Sequence, residues 1–167
     1  MDQRDMLLFG MTQTGRFAEL VTWAEKTGVH QFVPDYHRLQ LEYWVWMHAR
    51  RRQGRVLDVG VQTPRRWIGP GYRTVGLHGC DILGDLRALP MQSDSVDLFI
   101  CTEVLEHCRQ PFEAVAEIHR VLKPGGLLLV TSPFIWPWHG TVHYQDFWRF
   151  THEGWLELLR GFASVKL

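Results

Sequence analysis

Residues 96–133 read VDLFICTEVLEHCRQPFEAVAEIHRVLKPGGLLLVTSP and decide the fold. The run at 96–101 is apolar without alternation, which is typical of a strand buried on both faces of a parallel sheet. Residues 111–122 show helical periodicity, and KPGG at 123–126 ends that helix because proline blocks its continuation. A second apolar strand follows at 127–131. Strand, crossover helix and strand form a right-handed βαβ unit, which predicts an α/β fold.

Further elements are predicted on both sides of this unit. The helix over 111–122 should turn one apolar face to the sheet, made of Phe112, Val115, Ile118 and Leu122. Four more apolar runs predict strands at 55–60, 72–77, 81–85 and 162–167. Thr151 is the expected N-cap of a last helix, which buries Trp155, Leu158 and Leu159. We therefore expect a three-layer α/β sandwich on a doubly wound, mostly parallel sheet.

The first third of the chain predicts a helical cap. We expect a single domain over 1–167, in which residues 1–53 form the cap and residues 54–167 the core. Helices are predicted over 14–27 and 36–52, whereas residues 1–13 predict no element. The second helix has two apolar faces, of which one suits the sheet. The other should be covered by the first helix, and a ligand pocket or a homodimer contact is the alternative.

Charge and composition limit the function classes. Eighteen basic and eighteen acidic residues cancel, so no overall field attracts nucleic acid or a membrane surface. Two local clusters, residues 50–52 with Arg55 and the pair Arg65 and Arg66, are expected to be solvated helix and loop ends. Contact with a phosphate or a nucleic acid is the alternative. The overall charge therefore does not predict a nucleic-acid-binding protein.

The cysteines and the apolar runs predict a cytoplasmic location. The three cysteines have neither metal-like nor redox spacing, and their odd number fits poorly with a disulfide framework. No apolar run approaches the length of about 18 residues that a transmembrane helix needs. The acidic start is followed by no signal-peptide core.

Polar residues gather where the predicted strands end. Ligands of open α/β sheets bind beyond the carboxyl ends of the strands. That edge collects Asp58, Gly60, Asp85, the stretch 102–107 and residues 132–133. We therefore expect a binding site along this edge.

Five strings within residues 55–162 carry a family resemblance: VLDVG, GDLRALP, VDLFICTEVLEH, EIHRVLKPGG and LLLVTSP. Together and in this order they resemble class I S-adenosylmethionine-dependent methyltransferases. The likeness is greatest to the small-molecule, methyltransferase type 11 group, which includes ubiquinone-biosynthesis and glycan-cluster members. The resemblance implies a Rossmann-like fold, S-adenosylmethionine as cofactor, and methyl transfer to an oxygen or nitrogen atom of a small molecule.

The resemblance also implies roles for individual residues. Asp58, beside Gly60, would face the methionine amino group of the cofactor or its bound water. Asp85 would accept a hydrogen bond from the adenine amino group, with Leu86 against the base. Thr102 and Glu103 would line the methionine and the sulfonium. The alternative for each aspartate is a structural cap at a strand end or in a loop.

The sequence departs from the family pattern at two places. The family's glycine-rich loop is reduced to GVQTP at 60–64, with one glycine and a proline that lacks an N–H donor. The acid that normally holds the ribose hydroxyls aligns with His78. Asp81 lies 21 residues after Gly60, near the customary offset of about 20, and is the expected substitute.

A second constellation lies in the aromatic stretch 134–150. A similar loop in related methyltransferases covers the substrate, so His139 or His143 is a candidate general base, because histidine titrates near neutral pH. Asp146 is a third candidate in this stretch. The alternative is that these side chains only pin a long loop. Pro137 and Gly140 disfavour a helix that presents both histidines to one ion, so we expect no metal there.

The carboxyl end of the sequence departs from the family as well. Members normally finish with a strand that inserts antiparallel between the fifth and sixth strands, and nothing after Leu167 supplies one. Either the sequence is truncated or another element fills the place, since an open edge would be sticky and could form a homodimer. This feature and the reduced glycine loop favour an alternative function, a non-catalytic methyltransferase-like scaffold or binding protein with a weakened cofactor site.

Overall fold

The computed structural model describes the backbone of residues 5–8, residues 23 and 26, and residues 36–60 and 64–167. The chain divides into two compact units. The first comprises residues 1–8 and 53–167, and the second comprises residues 9–52. Each unit is described by itself.

The first unit is built on a parallel sheet. Its strands in the described residues are β1 (Asp5–Leu8), β2 (Val56–Val59), β3 (Tyr72–Gly76), β4 (Ile82–Leu83), β5 (Val96–Thr102), β6 (Leu122–Thr131) and β7 (Ser164–Lys166). Their order across the sheet is β4-β3-β2-β5-β6-β1-β7. All recorded strand pairs are parallel, and the order reverses beside β2 and β5. The predicted α/β fold on a mostly parallel sheet is confirmed.

The core lies around the two central strands. Consecutive residues of β5 from Leu98 to Cys101 are fully buried, and so are Leu128 to Val130 of β6. Burial on both faces explains why these strands read as unbroken apolar runs. The described part of this unit also contains the helices α2 (Pro111–Val121) and α3 (His152–Leu158), and both contribute side chains to the same core cluster.

One residue of α2 does not lie on the helix face that the sequence predicted for it. Phe112 was expected to face the sheet, but its side chain is 55% exposed. The buried stripe of the helix begins at Pro111 and continues through Ala114, Val115, Ile118 and Val121. Since successive helical residues are rotated by about 100°, Phe112 falls outside this stripe.

The polar side of α2 holds the loop that leads into β5. The Leu89 N–H donates to Glu117 Oε1 at 2.8 Å, and Arg120 donates to the Met91 carbonyl at 2.9 Å. The two side chains also pair with each other at 2.7 Å. These contacts order a segment that has little regular structure of its own.

The gap expected between the predicted strands at 127–131 and 162–167, which are β6 and β7, is filled. Strand β1, from a stretch for which no element was predicted, lies between β6 and β7. It pairs in parallel with both neighbours, with Asp5 beside Leu127 on one side and beside Ser164 on the other. The family's strand at this place was expected to be antiparallel. The expected open edge between those strands is therefore absent from the described part of the sheet.

The second unit contains helix α1 (Tyr36–Ala49). Trp23 is helical and buried, and it contacts Tyr43 and Trp46, with ring centroids 5.4 and 5.9 Å apart. A residue of the predicted first helix thus covers the apolar face of α1 that carries Leu39, Tyr43 and Trp46, as expected. Trp23 and Lys26 apart, that first helix lies outside the described residues.

An irregular aromatic loop, residues 134–150, connects β6 to α3. Most of its large apolar side chains are exposed, among them Ile135, Trp138 and Val142. The loop ends at Thr151, whose hydroxyl accepts from the Gly154 N–H at 3.1 Å and caps α3 as predicted. Within the described residues, no helix combines the length and apolar character that crossing a membrane would require.

The position of β1 can be tested through its backbone. Because β1 has a partner on each side, Leu7→Pro removes an N–H donor that a neighbouring strand uses. We expect the free energy of unfolding in urea to fall by about 1 to 3 kcal/mol, the cost of an unmade buried hydrogen bond. Val142→Pro, in the exposed aromatic loop, is the control, with an expected change below about 0.5 kcal/mol. Equal stability of the two variants would contradict the assignment.

Candidate functional site

The carboxyl ends of β2 and β5 bring Asp58 and Thr102 together, and both are buried. A third side chain joins them. Arg65 Nη1 donates to both Asp58 carboxylate oxygens, at 3.0 and 2.8 Å, and its Nη2 donates to Thr102 Oγ1 at 3.3 Å. Arg65 is only 3% exposed. The expected meeting of Asp58 and Thr102 is therefore observed, with a cation of the chain itself between them.

Tyr72 completes this buried group. Its hydroxyl donates to Asp58 Oδ2 at 2.7 Å and accepts from the Arg65 backbone N–H at 2.9 Å. Burial raises the pKa of the Tyr72 phenol, and the negative charge of Asp58 raises it further, so the hydroxyl stays protonated. We call Asp58, Arg65, Tyr72 and Thr102 the Asp58 network. The expectation that Arg65 is a solvated loop-end charge is wrong, because its guanidinium is taken up by this buried carboxylate.

Asp81, the expected ribose-binding acid, is engaged by its neighbours. Arg66 donates to both of its oxygens, at 3.0 and 2.9 Å, and the Thr74 N–H and hydroxyl donate to Oδ2 at 2.8 and 3.0 Å. The hydrogen bonds from Arg66, followed by those from Thr74, hold the pKa of Asp81 well below its usual range. A ribose would have to displace Arg66, whose side chain is 56% exposed.

Asp85, the expected adenine acceptor, lies nearer the surface. It pairs with Arg87, whose Nη2 is 2.7 Å from Oδ2, and this pair lowers the pKa of Asp85. Both side chains of the pair are partly exposed. The neighbouring Leu86 is buried and belongs to the core cluster. Asp85 is therefore accessible to a ligand, whereas Leu86 faces the protein interior.

Two residues with positive φ shape the edge between these carboxylates. Gly60 has φ 74°, and a Cβ there would collide with Val104 Cγ2, so glycine is required. Glu103 has φ 56°, its N–H donates to the Thr131 carbonyl at 3.1 Å, and its Oε1 accepts from the Thr131 hydroxyl at 2.7 Å. Glu103 thus ties the end of β5 to the end of β6. Residues 61–63 of the reduced glycine loop lie outside the described residues.

His139 and Asp146 form a pair within the aromatic loop. His139 Nδ1 lies 3.1 Å from Asp146 Oδ2, and the His139 backbone N–H donates to the same oxygen at 3.0 Å. Arg149 donates to both oxygens of Asp146, at 2.6 and 2.8 Å. Asp146 is almost fully buried, and the hydrogen bonds from Arg149 hold its pKa well below the usual range. His139 is therefore a histidine oriented by a carboxylate.

His143 differs from His139. It is exposed, and its recorded contact is through the backbone, whose N–H donates to Thr141 Oγ1 at 3.1 Å. The structure does not bring the two histidines into one group of possible metal ligands. Of the two base candidates, only His139 has a carboxylate partner among the described residues.

Glu106 and His107 lie beneath this loop. His107 Nδ1 is 2.7 Å from the Gln145 carbonyl, and its ring centroid is 5.0 Å from that of His139. Glu106 is fully buried, and within the described part of the chain neither carboxylate oxygen has a hydrogen-bond partner. Burial raises the pKa of Glu106 to about 8, and the negative charge of Glu103 raises it further.

A cavity lies away from the side-chain groups described above. A cavity of about 420 Å³ lies at the opposite, amino-terminal end of the strands, lined by Gly54, Arg55, Leu57, Gly71, Arg73, Ile82 and Met91. It contains none of the predicted site residues.

Three members of these groups were not predicted as site residues: Arg65, Tyr72 and Glu106. The only sequence signal for Arg65 was a basic pair seven residues after Asp58. Tyr72 was predicted only as the first residue of a strand. Glu106 follows the end of β5, as site residues of such folds do, but its complete burial has no local signature.

Comparison with known proteins gives a family for part of the chain. Residues 71–130 match the family model described as a methyltransferase domain. An uncharacterised methyltransferase of Mycobacterium leprae is 34% identical over 92 residues, which cover 52% of this chain and 34% of that protein. The chain thus spans between a quarter and about a third of the length of the first curated relatives it matches.

Solved structures share the fold. The cyclase SpnF superposes with a TM-score of 0.56 at 22% identity, covering 73% of this chain and 56% of its own. A SAM-dependent methyltransferase from Thermotoga maritima superposes with a TM-score of 0.50 at 21% identity, covering 87% and 78%. With the match over residues 71–130, the resemblance of this part of the chain to class I S-adenosylmethionine-dependent methyltransferases is confirmed.

Proposed function

We propose that this domain catalyses methyl transfer from S-adenosylmethionine to an oxygen or nitrogen atom of a small molecule. One observation supports this above all: Asp58 and Thr102 lie at the carboxyl ends of the adjacent parallel strands β2 and β5, Asp85 follows β4 of the same sheet, and His139 lies beside the Asp146 carboxylate in the aromatic loop. That is the edge where open α/β sheets bind their ligands. The balanced charge gives no net positive field that would attract a nucleic-acid acceptor.

The cofactor fits this edge at one end only. Asp85 is in a partly exposed ion pair, which is weak and can be exchanged for a hydrogen bond from an adenine amino group. At the other end, the Asp58 carboxylate suits an ammonium group chemically, but Arg65 already holds both of its oxygens. The methionine end of the cofactor therefore fits only after Arg65 has left Asp58.

The chain's own residues would have three tasks in the reaction. The bound cofactor supplies an activated methyl group. Asp58 and Thr102 hold the methionine end, Asp85 holds the adenine, and this positioning contributes most of the rate in a transfer of this kind. His139 Nδ1 lies 3.1 Å from Asp146 Oδ2 and 3.3 Å from the Pro137 carbonyl, two acceptors that favour a hydrogen on Nδ1, which leaves Nε2 to take a proton from the acceptor. His143, without such an orienting partner, is the second candidate for this base.

A non-catalytic binding protein is the second candidate function. The Asp58–Arg65 pair favours it, because a chain that neutralises its own cofactor-binding carboxylate can keep the fold without binding the cofactor. Exposed side chains of the aromatic loop, such as Trp138, would then provide a binding surface. Cofactor binding distinguishes the two functions.

Binding of S-adenosylhomocysteine tests the proposed function first. At 100 times the dissociation constant, the ligand should stabilise the domain by about 2.7 kcal/mol, measured as a thermal shift. Asp85→Ala should weaken binding about tenfold or more, the effect of losing roughly 1.4 kcal/mol of hydrogen bonding. Arg160→Met, on an exposed ion pair, is the control and should bind like the wild type. No shift at millimolar ligand would leave the binding protein as the better description.

Arg65→Met tests the Asp58 network. It leaves a buried carboxylate without its cation, so we expect a loss of about 3 to 5 kcal/mol in urea unfolding. Arg66→Met breaks an exposed pair and should cost about 1 kcal/mol or less. Asp58→Asn added to Arg65→Met should recover part of the loss. Equal losses for the two arginine variants would show that Arg65 is not a buried partner.

The candidate base is tested by the rate of S-adenosylhomocysteine formation with a panel of phenols, catechols and aromatic amines. His139→Ala should lower turnover about 100-fold, the usual contribution of a general base, and leave S-adenosylhomocysteine affinity unchanged. His143→Ala should have a smaller effect, because His143 has no carboxylate partner among the described residues. Wild-type rates in both variants would exclude both histidines as the base.

A further inference from the structure

Three side chains outside the Asp58 network offer metal-ligand atoms to one another. A carboxylate oxygen of Glu106 and one ring nitrogen each of His107 and His139 all lie within 4.8 Å of one another. We call these residues the Glu106 cluster. They come from the end of β5 and from the aromatic loop, so the sequence analysis, which paired His139 with His143, did not bring them together.

Glu106 lacks a partner that its burial demands. Its side chain is fully buried, and neither oxygen accepts a hydrogen bond from any described residue. Arg149, a cation of the aromatic loop, is engaged with Asp146 and with the Trp136 carbonyl. A buried carboxylate needs a proton or a cation to offset the cost of its burial. The open side of Glu106 is therefore suited to a positive ion.

Both histidines are held in the form that binds metals. His107 Nδ1 faces the Gln145 carbonyl at 2.7 Å, and His139 Nδ1 faces the Asp146 carboxylate at 3.1 Å. Carbonyl and carboxylate oxygens only accept, so these contacts favour the hydrogen on each Nδ1 over the longer 3.5 Å approach of Arg149 Nη2 to His139 Nδ1, and each Nε2 then keeps its lone pair. His107 Nε2 lies 3.7 Å from Glu106 Oε1. Outer carboxylates and carbonyls orient metal-binding histidines in this way.

We propose that Glu106, His107 and His139 bind a divalent transition-metal ion such as Zn²⁺. Two imidazoles and one carboxylate are a donor set of such ions, whereas Mg²⁺ prefers oxygen ligands alone. Ligand atoms about 2.0 to 2.2 Å from one ion lie closer together than 4.8 Å, so the side chains close on the ion by small rotations. Three protein ligands leave a position open for a further ligand.

The open position would take an oxygen of the acceptor, a consequence that rests on the proposed function. An ion there would lower the pKa of a bound hydroxyl, so that its proton could pass to solvent water without a side-chain base. In the metal-bound protein, His139 is a ligand and not the base. The metal site itself depends only on the three side chains, so it can be tested without cofactor or acceptor.

The experiment measures metal binding to the full chain. The protein is freed of metal with a chelator and titrated with Zn²⁺, Co²⁺ and Mg²⁺ by calorimetry, and the visible spectrum of the Co²⁺ form is recorded. We expect one Zn²⁺ per chain, binding at least about 100-fold more tightly than Mg²⁺, and a Co²⁺ spectrum of nitrogen and oxygen ligands. Cys108 should not contribute, since its thiol is not among the side chains that bring ligand atoms together here.

Matched variants decide the ligands. Glu106→Gln, His107→Ala and His139→Ala should each weaken Zn²⁺ binding at least about tenfold, whereas His143→Ala, in the same loop, should bind as the wild type does. Thermal unfolding without metal checks that each variant is folded, and His139→Ala, at the less buried ligand, is the variant expected to disturb the fold least. Wild-type Zn²⁺ affinity in folded ligand variants, or a thiolate band in the Co²⁺ spectrum, would overturn the proposal. Loss of S-adenosylhomocysteine binding alone would count against the proposed function and not against the metal site.

Discussion

The buried carboxylate of Asp58 is the constraint on which the rest of this domain depends. It lies in a central strand with no exposure to water, where an ionised carboxylate is stable only beside a cation and hydrogen-bond donors. Arg65 and Tyr72 supply both. The short connection after β2 thereby becomes part of the interior, and the edge that should receive a cofactor is occupied by the chain's own guanidinium.

The same constraint acts on Glu106, with a different outcome. Both carboxylates lie near the carboxyl edge of the sheet, yet among the described residues only Asp58 has an internal cation, while Glu106 has two histidines beside it. The edge therefore separates into a closed part around Asp58 and a part that is chemically open beneath the aromatic loop. The proposed methyl transfer would require the closed part to open, and Arg65 is the group that would have to leave Asp58.

The fold was predictable because its central strands are buried on both faces, which leaves unbroken apolar runs in β5 and β6. Contacts between residues close in sequence could also be predicted, such as the one between His139 and Asp146 in the same loop. Strand β1 was missed because its place depends on two distant strands. No local pattern tells which of Arg65 and Arg66 turns inward, because that choice depends on Asp58 and Thr102 from separate strands.

The central claim is that Arg65 holds Asp58 in the place of the cofactor's own cation. The ¹H–¹⁵N signal of the Arg65 side chain, assigned by its absence in Arg65→Met, tests this most directly when S-adenosylhomocysteine is added to saturation. The account predicts that the signal shifts strongly and exchanges faster with water as the guanidinium leaves the buried carboxylate. A saturated complex in which this signal stays unchanged would contradict it.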